Sequence, residues 1–169
     1  NDRNGITYLF DPGLQSEQPI FSNGGRLTDV VFPDGSSWTL SYHTRNLCPT
    51  TANCPASSRQ RVIRLASVDS KLGYQIKFLY HLNLQDGAYN DQRHTQISQV
   101  IAIGAYESNE ACKPRADTCS FNVNWHDVRF GYSGSDTNKT LTVTNELGQQ
   151  TVYNYDRSNT TVPYRLRHV

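Results

Sequence analysis

Three segments share a spacing that few folds can carry: Val30, Gly35 and Tyr42; Val68, Gly73 and Tyr80; Val143, Gly148 and Tyr155. In each, a valine stands five residues before the glycine and a tyrosine seven residues after it. So short a unit cannot bury a face alone, so its recurrence predicts neighbouring units packed in series. The stretch before each glycine is rich in β-branched residues, and the stretch after it alternates. Trp38, Leu40 and Tyr42 fall on one face of a strand, as do Ile76, Phe78 and Tyr80, then Thr151, Tyr153 and Tyr155. Thr39, Ser41, Lys77 and Asn154 lie between them. The turns ending at Gly35, Gly73 and Gly148 put glycine where a positive φ is cheapest. Each unit therefore reads as a β-hairpin, with its aromatic row as the packed face.

Two weaker units extend the series. Ile6–Asp11 reads as the second strand of a unit. Val128, Phe130 and Tyr132 repeat the alternation, with Ile97–Ile103 as the matching first strand across a long insertion. Strands then end at Phe10, Tyr42, Tyr80, Tyr132 and Tyr155. The expected fold is all-β: one domain over residues 1–169, in which consecutive antiparallel hairpins form a twisted or curled sheet. Neither end has the polar closure of a capping repeat, and Tyr164–Val169 reads as the start of a further strand. Open edges expect more chain or another copy. With no methionine and an asparagine at position 1, the chain is expected to be processed or part of something longer.

The cysteines form two local pairs, Cys48/Cys54 and Cys112/Cys119, in polar loops that contain proline. Neither spacing matches the Cys-x(2–4)-Cys hooks of structural zinc or a redox Cys-x-x-Cys. Two disulfides within these loops are the expectation, with bridges between the loops as the alternative connectivity. Disulfides place the protein outside the reducing cytoplasm, secreted or at the cell surface. A net charge of +1 calls for neither a nucleic-acid partner nor an acidic membrane. No apolar run approaches the ~20 residues of a membrane-spanning helix.

The strings Gly25-Arg-Leu…Val30…Pro33-Asp-Gly35…Tyr42-His43 and Val143-Thr-Asn-Glu-Leu-Gly148…Tyr153-Asn-Tyr155-Asp156 resemble the tyrosine–aspartate (YD) repeats of the Rhs family. The resemblance covers residues 5–11, 25–43, 61–81, 97–103 and 128–156. It implies antiparallel hairpins coiling into a long sheet, which in that family closes into a hollow shell around a toxic C-terminal segment. His43 and His81 stand where the pattern has aspartate, and residues 82–96 and 104–127 are long insertions.

No residue set marks a reaction. His43 and His81 hold equivalent repeat positions facing away from the tyrosines, and adjacent hairpins would bring them near each other. Without a third ligand they read as hydrogen-bonding histidines rather than a metal site. His94 lies in a polar loop. His126 and Asp127 are neighbours on a strand and so point to opposite faces. The Asp/Asn-rich stretches 83–91 and 133–138 do not match a calcium loop. Asn138-Lys-Thr and Asn159-Thr-Thr are glycosylation sequons, expected to be unused in a bacterial protein. The aromatic residues Trp38, Tyr42, Phe78, Tyr80, Phe130, Tyr132, Tyr153 and Tyr155 read as sheet packing, with carbohydrate stacking the alternative. The expected role is a non-enzymatic structural or assembly module of an exported bacterial protein: envelope, shell or filament. It needs no cofactor or metal, and its partners are other repeats or copies. A surface-glycan adhesin is the next reading, and a secreted hydrolase or toxin fragment with its site in residues 82–127 the third.

Overall fold

A computed structural model describes residues 4–11, 25–104, 112–121, 125–135, 138–157 and 165–168. Ten strands form one antiparallel sheet in chain order. They are β1 (Thr7–Asp11), β2 (Arg26–Val31), β3 (Ser37–Leu47), β4 (Gln60–Ser70), β5 (Tyr74–Tyr80), β6 (Ile97–Gly104), β7 (His126–Gly134), β8 (Asn138–Thr144), β9 (Gln150–Asp156) and β10 (Arg165–His168). The helical segments among the described residues are two short 3-10 turns, at Ala56–Ser58 and Gln92–His94. The sheet is open, with β1 and β10 at its edges.

The three repeats are the hairpins β2–β3, β4–β5 and β8–β9. Gly35, Gly73 and Gly148 have φ of 81°, 86° and 78°. Each donates its N–H to the carbonyl three residues back, on Phe32, Ser70 and Asn145, at 3.0 Å. At Gly35 and Gly148 an added Cβ would meet nothing within 4 Å, so the left-handed backbone alone calls for glycine there.

Successive units join through a recurring irregularity. Phe10 pairs with Leu27, Tyr42 with Leu65, Tyr80 with Ile97 and Tyr155 with Leu166, and at each junction the register shifts beside that pair. The residues passed over are Thr28, Ala66, Ser98 and Arg167. Such bulges bend a strand and increase its twist, so four at matching places curl the sheet in one sense. The β7–β8 junction has no shift and pairs Tyr132 with Leu141.

Burial corrects one expectation. The alternation falls where the sequence puts it, but on β5 the covered face is the one that carries Gln75 and Lys77, opposite Ile101 and Ile103 of β6. Gln75 and Lys77 are buried while Ile76, on the apolar face, is 43% exposed and Trp38 is 48% exposed. The cause is the second insertion, whose loop lies over Gln75, Lys77, Ile101 and Ile103. Ile101, Ile103 and Cys112 form a buried cluster, flanked by Leu79, Ala116, Cys119, Phe121 and Trp125. The first insertion covers the ends of β3 and β4, burying Leu47, Cys48 and His94.

Candidate functional site

The repeat tyrosines act as struts. In β2–β3 the paired residues run only from Val31↔Ser37 to Asp29↔Thr39, and in β4–β5 only from Asp69↔Gln75 to Ser67↔Lys77. Beyond those pairs the strands part, and the tyrosine spans the gap. Tyr42 donates its hydroxyl to the Leu27 carbonyl at 2.8 Å, and Tyr80 donates to the Leu65 carbonyl at 2.6 Å. An arginine at the same repeat position stacks on each ring, Arg26 at 5.8 Å from the Tyr42 centroid and Arg64 at 4.2 Å from that of Tyr80. Burial raises the pKa of both tyrosines, keeping the hydroxyls protonated as donors. In β8–β9 the ladder continues to Asn138↔Asp156, and Tyr155 pairs directly with Lys139.

At three of the four shifted junctions the residue after the aromatic one pairs with the arginine of the next unit, the exception being His81. Asp11 pairs with Arg26, His43 with Arg64 and Asp156 with Arg165. Asp11 and Arg26 form an ion pair at 2.7 Å. At the second junction His43 cannot supply that acid. Asp117, from the loop closed by Cys112 and Cys119, takes the role: its Oδ1 accepts from Arg64 Nη2 at 2.9 Å and lies 3.5 Å from His43 Nε2. Arg45 Nη2 reaches Oδ2 of the same carboxylate at 3.4 Å.

Most polar atoms of this cluster have partners, while Arg64 Nε and His94 Nε2 are buried without one among the described residues. Arg64 also donates to the carbonyls of Leu82 and His94 at 3.0 and 2.6 Å and to Asn83 Oδ1 at 2.6 Å. Arg64 Nη1, the Leu84 N–H and the Leu82 carbonyl oxygen all converge on His94 Nδ1, at 3.1, 3.2 and 3.1 Å. Lys77, fully buried, donates to the Pro114 and Lys113 carbonyls at 2.7 and 3.3 Å. Burial lowers the His43 pKa to about 4, against the pull of Asp117, and it lowers those of Arg64, Lys77 and His94 as well. His43 is therefore neutral near pH 7, and the charges at the centre are Arg64, Arg45 and Lys77 around Asp117. The arrangement locks two insertions onto the sheet.

The other histidines go elsewhere. His81, expected near His43, instead stacks edge-on against Tyr132 at 5.4 Å, with Nε2 2.8 Å from the Phe130 carbonyl oxygen. His126 is largely exposed and meets Glu146, while Asp127 accepts from Gln99 Nε2 at 2.5 Å and Arg129 Nε at 2.7 Å. No group of three metal-ligating side chains occurs among the described residues. Asn159 lies outside the described residues.

Both disulfides are local: Cys48–Cys54 with Cα atoms 5.7 Å apart and Cys112–Cys119 with Cα atoms 5.6 Å apart. The first pins a loop that the repeat pattern does not contain. Cys48 forms a bridge with Tyr89, exchanging backbone bonds with Ala88 and Asn90 at 2.8 Å, and the Asn53 N–H donates to the Gly87 carbonyl at 2.8 Å. Between this loop and strands β7–β9 lies an open cleft of about 1090 Å³. The motif spacing gave no sign of this cleft, because it arises from an insertion meeting a distant repeat. The Arg-Leu pairs at 26–27, 64–65 and 165–166 were the sequence signal for the junctions.

No family model, curated protein or solved structure matches the chain. Among the described residues, no helix is long and apolar enough to cross a membrane.

Proposed function

We propose that this chain is a non-enzymatic structural module of an exported YD-repeat-type protein, serving as a building block of an envelope, shell or filament. One observation carries the reading: the pairing by which each unit hands over to the next recurs at four junctions, including the last strand. There Arg165-Leu166 meets Tyr155-Asp156 as Arg26-Leu27 meets Phe10-Asp11. The residues that define the repeat serve to join strand to strand, so the sheet can propagate by adding units. β10 carries the Arg-Leu start of a unit and β1 the aromatic–aspartate end of one, so their outer edges are complementary halves of a hairpin. The partner is thus another repeat, in the same polypeptide or in a second copy. The two disulfides fit an oxidising location.

Sedimentation velocity over a concentration series tests this on residues 1–169. End-to-end growth is expected, and lysine at Tyr8, which is 42% exposed on the edge strand β1, should suppress it. A chain that stays monomeric at every concentration would overturn assembly through a second copy and leave repeats of the same polypeptide as the partner.

A further inference from the structure

We infer that the cleft between the Tyr89–Arg93 loop and strands β7–β9 is a binding site for an oligosaccharide bearing acidic substituents. Its volume of about 1090 Å³ lies just above the roughly 300–1,000 Å³ typical of small-molecule sites. Tyr89 and Tyr132 line it and are 49% and 40% exposed. Ring faces of this kind take the apolar C–H face of a sugar, while their hydroxyls remain at the wet edge.

Both rings are held before any ligand arrives. Tyr89 sits in the bridge to Cys48, within the loop that the Cys48–Cys54 disulfide and its backbone bonds fix. Tyr132 is braced by the edge-on His81 ring, itself anchored at the Phe130 carbonyl. Such preorganisation lowers the entropic cost of binding. Polar groups line the same walls. Asp91 is held by Arg93 through Nε and Nη2, at 3.1 and 2.6 Å, which fixes a carboxylate–guanidinium pair at the rim. Lys139, on the opposite wall, adds a positive charge to that neutral pair. A hydroxyl-rich ligand with carboxylates matches this combination of flat rings, fixed donors and acceptors, and net positive charge.

The site is separate from the proposed assembly edges, because none of the described residues that line it lies on β1 or β10. The probes are an oligogalacturonate, with cellotetraose as the neutral comparator, followed by amide chemical shifts of the intact chain. The oligogalacturonate is expected to shift resonances of residues 89–93 and of β7–β9, and to bind more tightly than cellotetraose. Tyr89→Ala and Tyr132→Ala should each weaken binding about tenfold. Lys139→Gln should abolish the preference for the acidic probe. Thermal melting of each variant distinguishes a lost contact from a lost fold. Absence of shifts with both probes would overturn the proposal. So would shifts scattered over the basic surface and unchanged in folded Tyr89→Ala, and equal binding of the two probes would overturn its acidic component.

Discussion

Asp117 bonds Arg64 from a different part of the chain than the strand that faces it. The residue paired with Arg64 is His43, and the acid arrives from a disulfide-closed loop at 2.9 Å. At the first junction the facing strand supplies its own acid, Asp11, to Arg26. An aspartate missing from the repeat has been replaced in space, and the insertion that provides it is thereby tied to the sheet.

Removing that acid leaves Arg64 and Arg45 without their counter-charge beside a buried histidine. Asp117→Asn is expected to cost about 2–3 kcal/mol, since Arg64 is nearly buried but keeps its carbonyl partners. Restoring the repeat residue with His43→Asp should recover part of the loss in the double variant. Urea denaturation of the wild type, both single variants and the double variant gives the coupling energy, whose expected sign is favourable. Simple additivity would mean that the two acids do not serve the same arginine.

Tyr42→Phe and Tyr80→Phe each remove a hydroxyl that bridges parted strands and leave the Leu27 or Leu65 carbonyl without that donor. Each should cost about 1 kcal/mol, Tyr80 more than Tyr42 because Tyr80 is buried. Tyr155→Phe should cost less, since its hairpin stays paired and offers no gap to span. Chemical denaturation of the three variants ranks them.

The strands, the turns and the local disulfide pairing were readable because each depends on neighbours in sequence. Gly35 and Trp38 declare a turn and a strand without reference to anything distant. The covered face was not readable, because Gln75 and Lys77 are buried by carbonyls from residues 112–114, and no alternation rule locates an insertion in space. The same limit hid Asp117 as the partner of Arg64 and separated His81 from His43. Arg26-Leu27 and Arg64-Leu65 recur in the sequence, but their partners Phe10-Asp11 and Tyr42-His43 lie well back in the sequence, on the preceding strand, beyond the reach of a local rule.

Stability should rise with pH between about 4 and 6.5. The His43 pKa is about 4 in the folded protein against an ordinary 6.5, so the unfolded chain binds the extra proton throughout that interval. The contribution is complete above the unfolded value and is lost as pH falls towards the folded one, amounting to ~3 kcal/mol at most. Asp117 opposes the shift, while Arg64, Lys77 and Arg45 reinforce it. His94, lowered by burial and Arg64, adds a contribution of the same sign. His43→Gln should flatten the wild-type slope in this window, measured as urea midpoints across a pH series. An unchanged slope would remove His43 as its source.

The two disulfides should differ in what their loss exposes. Closing loops this short stabilises by roughly 2–3 kcal/mol each through the unfolded chain alone. Cys112 and Cys119 have a further part, because their loop carries Asp117, the carbonyls that hold Lys77, and the cover over Ile101 and Ile103. Replacing that pair by serine should therefore destabilise more than replacing Cys48 and Cys54. Alkylation without reductant should label no cysteine in the wild-type protein, since all four are bridged. Acetylation of lysines followed by peptide mass spectrometry gives a sharper local readout. Lys77 is fully buried and should stay unmodified in the wild type, while exposed Lys71 and Lys113 react. In Cys112→Ser/Cys119→Ser, Lys77 should become labelled under conditions where the sheet remains folded by circular dichroism. Continued protection of Lys77 would show that the loop holds its place without the bridge.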